Sequence, residues 1–278
     1  MAIILFWNWA RTGLARPCQI DLASHGTGLS QIDFDRTSNL RQLGRVFAAA
    51  GRNHSASGDL GGAEGDYLQV VELGDATMHG GAMFHANVGL AIQSAGFDDM
   101  AQLLPQLDAA ACQELGARLD QLDANQETVD EIVSRERQYV KKTSHWYVRW
   151  RVLQVPLLWD QARQAFELGF QRGLVRRRLF RTHLALRQFW LAEQDYPETL
   201  DELTPRYLTE LPLDPFSGAS LNYRRLPDGY QLYSVGENRI DDGGTPAAPA
   251  TAAQPASGDL MLDVPLGHQE ARQEIKSP

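Results

Sequence analysis

Cysteine is nearly missing: Cys18 and Cys112 are the only two in 278 residues. They lie far apart with no metal-type spacing, so neither a disulfide framework nor a zinc site is indicated. A single Cys18–Cys112 bridge stays open. Cys112 sits in helical text, 108-DAAACQEL-115, and reads as a small apolar packing residue. Long apolar runs are also missing. The first stretch, 2-AIILFWNWA-10, is too short to cross a bilayer, and no basic segment precedes it as a signal peptide would require. Cys18 follows Arg16-Pro17, which is not the small-residue setting of a lipid-anchored cysteine. Two expectations follow for location. One is a cell-envelope protein, periplasmic or surface-facing, associated with the membrane surface through an anchor missing from this chain. The other is a cytoplasmic protein.

An excess of basic residues is absent as well. The net charge of −9 argues against a nucleic-acid partner and favours cations. Catalytic signatures are lacking: no glycine-rich phosphate loop, no G-x-S-x-G and no HExxH occurs. The seven histidines, His25, His54, His79, His85, His145, His183 and His268, are not clustered. The expectation is therefore a protein that is not an enzyme. A cryptic enzyme in the helical part would need a constellation assembled from distant residues.

Residues 1–35 show no sustained period and read as an irregular segment. Helical text starts near Asn39, where Leu40, Leu43, Val46 and Phe47 share one stripe and Gly51 is placed to end the helix. The next stripe carries Leu60, Ala63, Tyr67, Val70 or Val71, and Leu73. The pair reads as a helical hairpin with tetratricopeptide-like character, although no period repeats. Pro105 breaks the following helix, Asp108 is an N-cap for the next, and 126–142 form an amphipathic helix. Pro156 should end or kink a helix in the apolar-rich stretch after Ser144. Residues 36–175 thus read as a helical domain.

After residue 195 the style changes. Two alternating runs, 219–225 and 229–236, flank Leu226-Pro227-Asp228-Gly229, which marks a β-hairpin. In 211-LPLDPFSG-218, Pro212 and Pro215 fix φ, Asp214 bonds the backbone two residues on, and Phe216 fills space. Residues 243–258 are Pro/Ala-rich and read as a mobile linker, before a short strand at 259–266 and a polar tail at 268–278.

The strand ending 230-YQLYSVGENRIDDGG-244 runs into oxygen-bearing side chains. Ser234, Asn238, Asp241 and Asp242 offer side-chain oxygens, Leu232 and Ile240 offer carbonyls, and Asp259 offers a closing carboxylate, with Asp263 weaker. Calcium needs six to eight such oxygens, and two adjacent aspartates repel unless solvated or neutralised. The competing reading is an Asn/Asp/Gly-rich exposed turn that binds nothing. The sixteen residues 243–258 lengthen the loop, at a closure cost of only fractions of a kcal/mol.

Two further clusters are notable. Arg172, Arg176, Arg177, Arg178, Arg181 and Arg187 wrap one helix, readable as a solvated face bonded to this chain's own carboxylates or as a surface for anionic headgroups. Trp146, Tyr147, Trp150, Trp159, Phe166 and Phe170 read as packing between long helices, or as a ligand groove.

Taken in order, 189-FWLAEQDYP-197, 200-LDEL-203, 211-LPLDPFSG-218, Tyr223, 229-GYQLYSVGENRIDDGG-244 and 258-GDLMLDVP-265 resemble the C-terminal part of the type II secretion major pseudopilin family. The resemblance covers about residues 180–265 and implies an α+β module over 176–267. In it a long helix packs on a small antiparallel sheet, and Ca2+ pins the closing loop. That family begins with an apolar membrane helix, where this chain carries a helical domain instead. The combined reading is an α+β protein, a non-enzymatic structural or interaction protein of the envelope, linked to type II secretion or pilus-like assembly. The alternative is a helical-repeat adaptor that binds a protein partner and uses the C-terminal module as a passive cap.

Overall fold

The computed structural model describes residues 31–143, 156–248 and 257–265. It is mostly helical. Six helices are described: α1 (Gln31–Ala56), α2 (Leu60–Met78), α3 (Met83–Leu103), α4 (Ala109–Ala124), α5 (Val129–Thr143) and α6 (Pro156–Glu193). A two-stranded antiparallel sheet follows, β1 (Asn222–Leu226) and β2 (Gly229–Tyr233). The fold class is α+β. The chain divides into two compact units, Met1–Gly96 with Leu122–Phe170 and Phe97–Gln121 with Gln171–Pro278.

In the first unit, α1 and α2 form the expected hairpin. Asp59 caps α2 by accepting from the Gly62 N–H at 2.9 Å. The core joins Phe47 and Ala48 of α1 to Val70 and Leu73 of α2 and to Val88 and Ile92 of α3. Full burial of such side chains contributes roughly 1.5–3 kcal/mol each for the larger ones. Helix α1 departs from the sequence reading at both ends: it starts at Gln31 and runs through Gly51 to Ala56. Gly51 is a packing residue, because a Cβ there would lie 2.4 Å from the Tyr67 ring. Its missing side chain admits Tyr67 instead of ending the helix.

Helices α2 and α3 approach even more closely. A Cβ on Gly89 would sit 2.3 Å from the Gly74 carbonyl oxygen, and one on Gly74 would sit 2.6 Å from the Gly89 oxygen. The turn between these helices is pinned from α5 and the residues before it. Glu127 accepts from Gly80 N–H at 3.2 Å, Glu136 from Met83 N–H at 2.9 Å, and Arg135 donates to the Gly81 carbonyl at 2.7 Å. Thr128 and Glu131 close a capping box at the start of α5. Phe166 and Phe170 are buried with rings 5.9 Å apart, whereas Trp146, Tyr147 and Trp150 lie outside the described residues.

In the second unit, Asp108 caps α4 as expected, accepting from Ala111 N–H at 2.8 Å. Cys112, Leu115, Gly116 and Leu119 are its buried stripe. Pro156 is the first residue of α6, where a missing N–H and a preset φ are favourable; the residues just before it lie outside the described ones. The later half of α6 buries Val175, Leu179, Phe180, Leu184 and Leu186. The hairpin pairs Asn222 with Tyr233 through to Leu226 with Gly229. Among the described residues 259–265 no continuous strand forms. Leu260 bridges Ser234, Asp259 bridges Pro246, and Ser257 bridges Ala248. The described ends of the Pro/Ala-rich segment are therefore paired backbone; its middle, 249–256, lies outside the described residues.

The glycine contacts make a direct test. Gly89→Ala should destabilise by about 1–3 kcal/mol, because the new methyl meets backbone that has no rotamer to change. Gly65→Ala, in the same unit with nothing within 4 Å of the added Cβ, should stabilise by about 0.5–1 kcal/mol from helix propensity. Denaturant midpoints of the two variants check both signs.

Candidate functional site

The closing region of the second unit is organised by one carboxylate. Asp214 is buried, and its partners are three neutral donors instead of a lysine or arginine. Its Oδ1 accepts from Phe216 N–H and from the Ser234 hydroxyl, both at 2.9 Å, and its Oδ2 accepts from Val235 N–H at 3.0 Å. The Asp214 N–H donates to Ala219 O at 2.6 Å, and Gly218 N–H donates to Asp214 O at 2.8 Å, which closes the Pro-rich turn. Phe216 is buried beside it. The bond from Asp214 to the N–H two residues on is the one the sequence predicts. The links to Ser234 and Val235, twenty residues away, are tertiary.

Beyond β2 the predicted ligand residues separate into two groups. The Ser234 hydroxyl points to Asp214, and its backbone exchanges two 2.9 Å bonds with Leu260. Leu232 is buried in the ladder opposite Tyr223. Neither side chain joins the acidic loop. The second group does come together. Asp241 Oδ1 accepts from the Tyr233 hydroxyl and Gly243 N–H, both at 2.9 Å. Asp242 Oδ2 accepts from Asn238 Nδ2 at 2.8 Å and Gly258 N–H at 3.0 Å. Asp259, fully buried, accepts from Asp242 N–H at 3.3 Å and Gly244 N–H at 2.7 Å. The Asn238 side-chain oxygen takes the Ile240 N–H at 3.1 Å. Asp263 stands apart; its carbonyl accepts from Gln102 at 2.8 Å. Gly258 is required here, since at φ +94° a Cβ would lie 2.7 Å from Pro246 O.

This donor set can be tested against a hard cation. Among the described residues no group of three His, Cys, Asp or Glu side chains converges on one point. Asp241 Oδ2 and Asp242 Oδ1 accept no hydrogen bond from the described residues. A divalent ion held here would take those two oxygens and complete its shell from carbonyls, including that of exposed Ile240, and from water.

The arginine run serves the second unit itself. Arg176 pairs with Asp98 at 3.2 Å, and Arg181 binds Asp120 through two bonds of 2.9 and 3.1 Å while also donating to Tyr207 O. Arg187 donates to Leu107 O at 3.1 Å; Arg172 pairs with Glu237, and Arg178 donates to Leu213 O. Arg177 is buried. These arginines bond α6 to neighbouring segments, and two of them are inside, not on a solvated face.

A buried polar–aromatic cluster escaped the sequence reading. His183 Nδ1 and the Tyr230 hydroxyl share a 2.6 Å hydrogen bond, and Tyr196 packs on Tyr230 edge-on at 4.7 Å. Tyr223 lies 6.0 Å from Tyr230 and donates its hydroxyl to Pro197 O at 2.7 Å. The available signal was position: His183 is four residues after Leu179 and three before Leu186, on the buried stripe of α6.

No described helix is long and apolar enough to cross a membrane. Compared with known family models, curated proteins and solved structures, the chain matches none.

Two outcomes are expected. Asp214→Ala strands three buried donors and should lower stability by about 2–4 kcal/mol, while Asp214→Asn, which keeps an acceptor, should lose less; denaturant unfolding measures both. The tyrosines set an alkaline limit. Burial holds the phenols of Tyr196, Tyr223 and Tyr230 above their ordinary value of 10. Burial, then the bond to Asp241 and the charges of Asp241 and Asp259, push Tyr233 up to about 12. Above pH 10 the unfolded chain loses phenolic protons that the folded one retains, so stability is full below 10 and lost as pH rises through 12. The phenolate absorbance of these four tyrosines, taken as the difference from variants with each replaced by Phe, should rise together with loss of tertiary structure, not before it.

Proposed function

We propose that this is a non-enzymatic structural or interaction protein of the cell envelope, whose C-terminal module is pseudopilin-like and stabilised by Ca2+. Its role is scaffolding linked to type II secretion or pilus-like assembly. The observation that carries this reading is the loop at the end of β2. Asp241, Asp242 and Asp259 belong to that loop, beside Tyr233, with no cationic side chain paired to them among the described residues. Like charges so placed are relieved by a bound cation. The order of helix, capped turn, Pro-rich turn and hairpin in the second unit supports the same reading.

A second reading is favoured by a different observation. Helices α1, α2 and α3 pack as successive antiparallel hairpins on shared glycines, an arrangement suited to a helical adaptor that binds a protein partner.

The test is thermal unfolding in calcium and in EDTA. A site binding only the folded state stabilises by about 2.7 kcal/mol at a hundred times its Kd. The melting temperature should rise with calcium, rise less with magnesium, and lose its calcium response in Asp241→Asn/Asp242→Asn. Identical melting in calcium and EDTA would overturn the metal reading and leave the loop held by its hydrogen bonds alone.

A further inference from the structure

We infer that the β1–β2 hairpin is an acid-sensitive latch on α6, released when His183 takes a proton in its buried aromatic seat. The observations come from every element around the imidazole. From α6 itself, His183 is buried, with Nδ1 bonded to Tyr230 and Nε2 enclosed without a hydrogen-bond partner among the described residues. From β2 comes Tyr230, from β1 Tyr223, and from the turn after α6 Tyr196, all neutral phenols. The cationic groups in the neighbourhood are Arg187, one turn along α6, which acts on Tyr196 and Tyr230, and Arg225 of β1, which acts on Tyr223 and is bonded to Asp195 and Glu198. Glu198 and Glu202 act on Tyr223. None acts on His183, whose perturbation has burial as its sole cause.

A proton on this ring therefore meets no compensating anion. With both ring nitrogens protonated, Nε2–H becomes a buried, charged donor with no acceptor. Moving β1 and β2 off α6 admits water to the imidazolium. Burial depresses the docked imidazole to about 3 from its ordinary 6.5. The sign follows: the released form binds the proton first, so docking is at full strength above pH 6.5 and weakens as pH falls toward 3. Over that window one proton is linked to release, and the docking equilibrium constant falls about tenfold per pH unit. The phenols stay neutral throughout the window.

Hydrogen exchange of residues 222–233, corrected for the intrinsic pH dependence and measured on the whole chain in EDTA, tests this apart from any metal. The wild-type opening constant should climb about tenfold for each pH unit below 6.5, in excess of the slope shown by His183→Gln. Amides within 175–190 of α6 should stay protected while the hairpin opens. Tyr230→Phe keeps the imidazole but removes its bond, so it should retain the wild-type slope with a larger opening constant at every pH. Equal slopes in wild type and His183→Gln would overturn the latch. So would an unchanged opening constant in Tyr230→Phe, or loss of α6 protection in step with the hairpin.

Discussion

Three neutral donors on one buried carboxylate tie the Pro-rich turn to the end of β2. Asp214 gathers Phe216 N–H from its own turn and the Ser234 hydroxyl and Val235 N–H from the end of β2. A charge with no cationic partner is tolerable inside only when such donors replace water, and here they come from two segments at once. The Pro-rich turn, the hairpin end and, through Ser234, the Leu260 bridge are thereby fixed relative to one another. Removing the carboxylate would leave unsatisfied donors at Phe216 in the turn and at Ser234 and Val235 at the hairpin end.

The same device recurs with the loop aspartates. Asp259 is fully buried and receives two backbone N–H groups, and its own backbone pairs with Thr245 and Ala247. Asp241 and Asp242 each satisfy one oxygen and leave the other without a donor among the described residues. Order of the loop thus arises from the backbone and side-chain donors that these three residues hold. Hydrogen bonds set the backbone path, and the remaining oxygens carry the negative field.

The first unit is built on different physics. Its helices are held by close approach at Gly74 and Gly89 and by apolar contacts around Phe47 and Leu73, with carboxylates of Glu127 and Glu136 pinning the interhelical turn. Polar side chains there cap helix ends and also pair inside, as the buried Asp66 does with His54 at 3.0 Å. In the second unit the buried Arg181 reaches half-exposed Asp120, and His183 pairs with Tyr230 in the interior. Interior polar pairs are stable only while both partners keep their protonation state.

Local rules are written in the residues themselves. Helix stripes such as Ala63, Tyr67 and Val70, the cap Asp108, the Pro-Asp turn between β1 and β2, and the bond from Asp214 to Phe216 N–H all depend on neighbours within a few positions. The sequence alone therefore determined them. Gly51 shows where that reasoning ends: locally it is a helix stop, but Tyr67 fills its vacant side and the helix continues. Ser234 shows it again, since its hydroxyl had two directions open and Asp214, twenty residues earlier, decided between them. Which partner a polar side chain meets depends on contacts between segments distant in sequence, and only the tertiary structure brings those segments together.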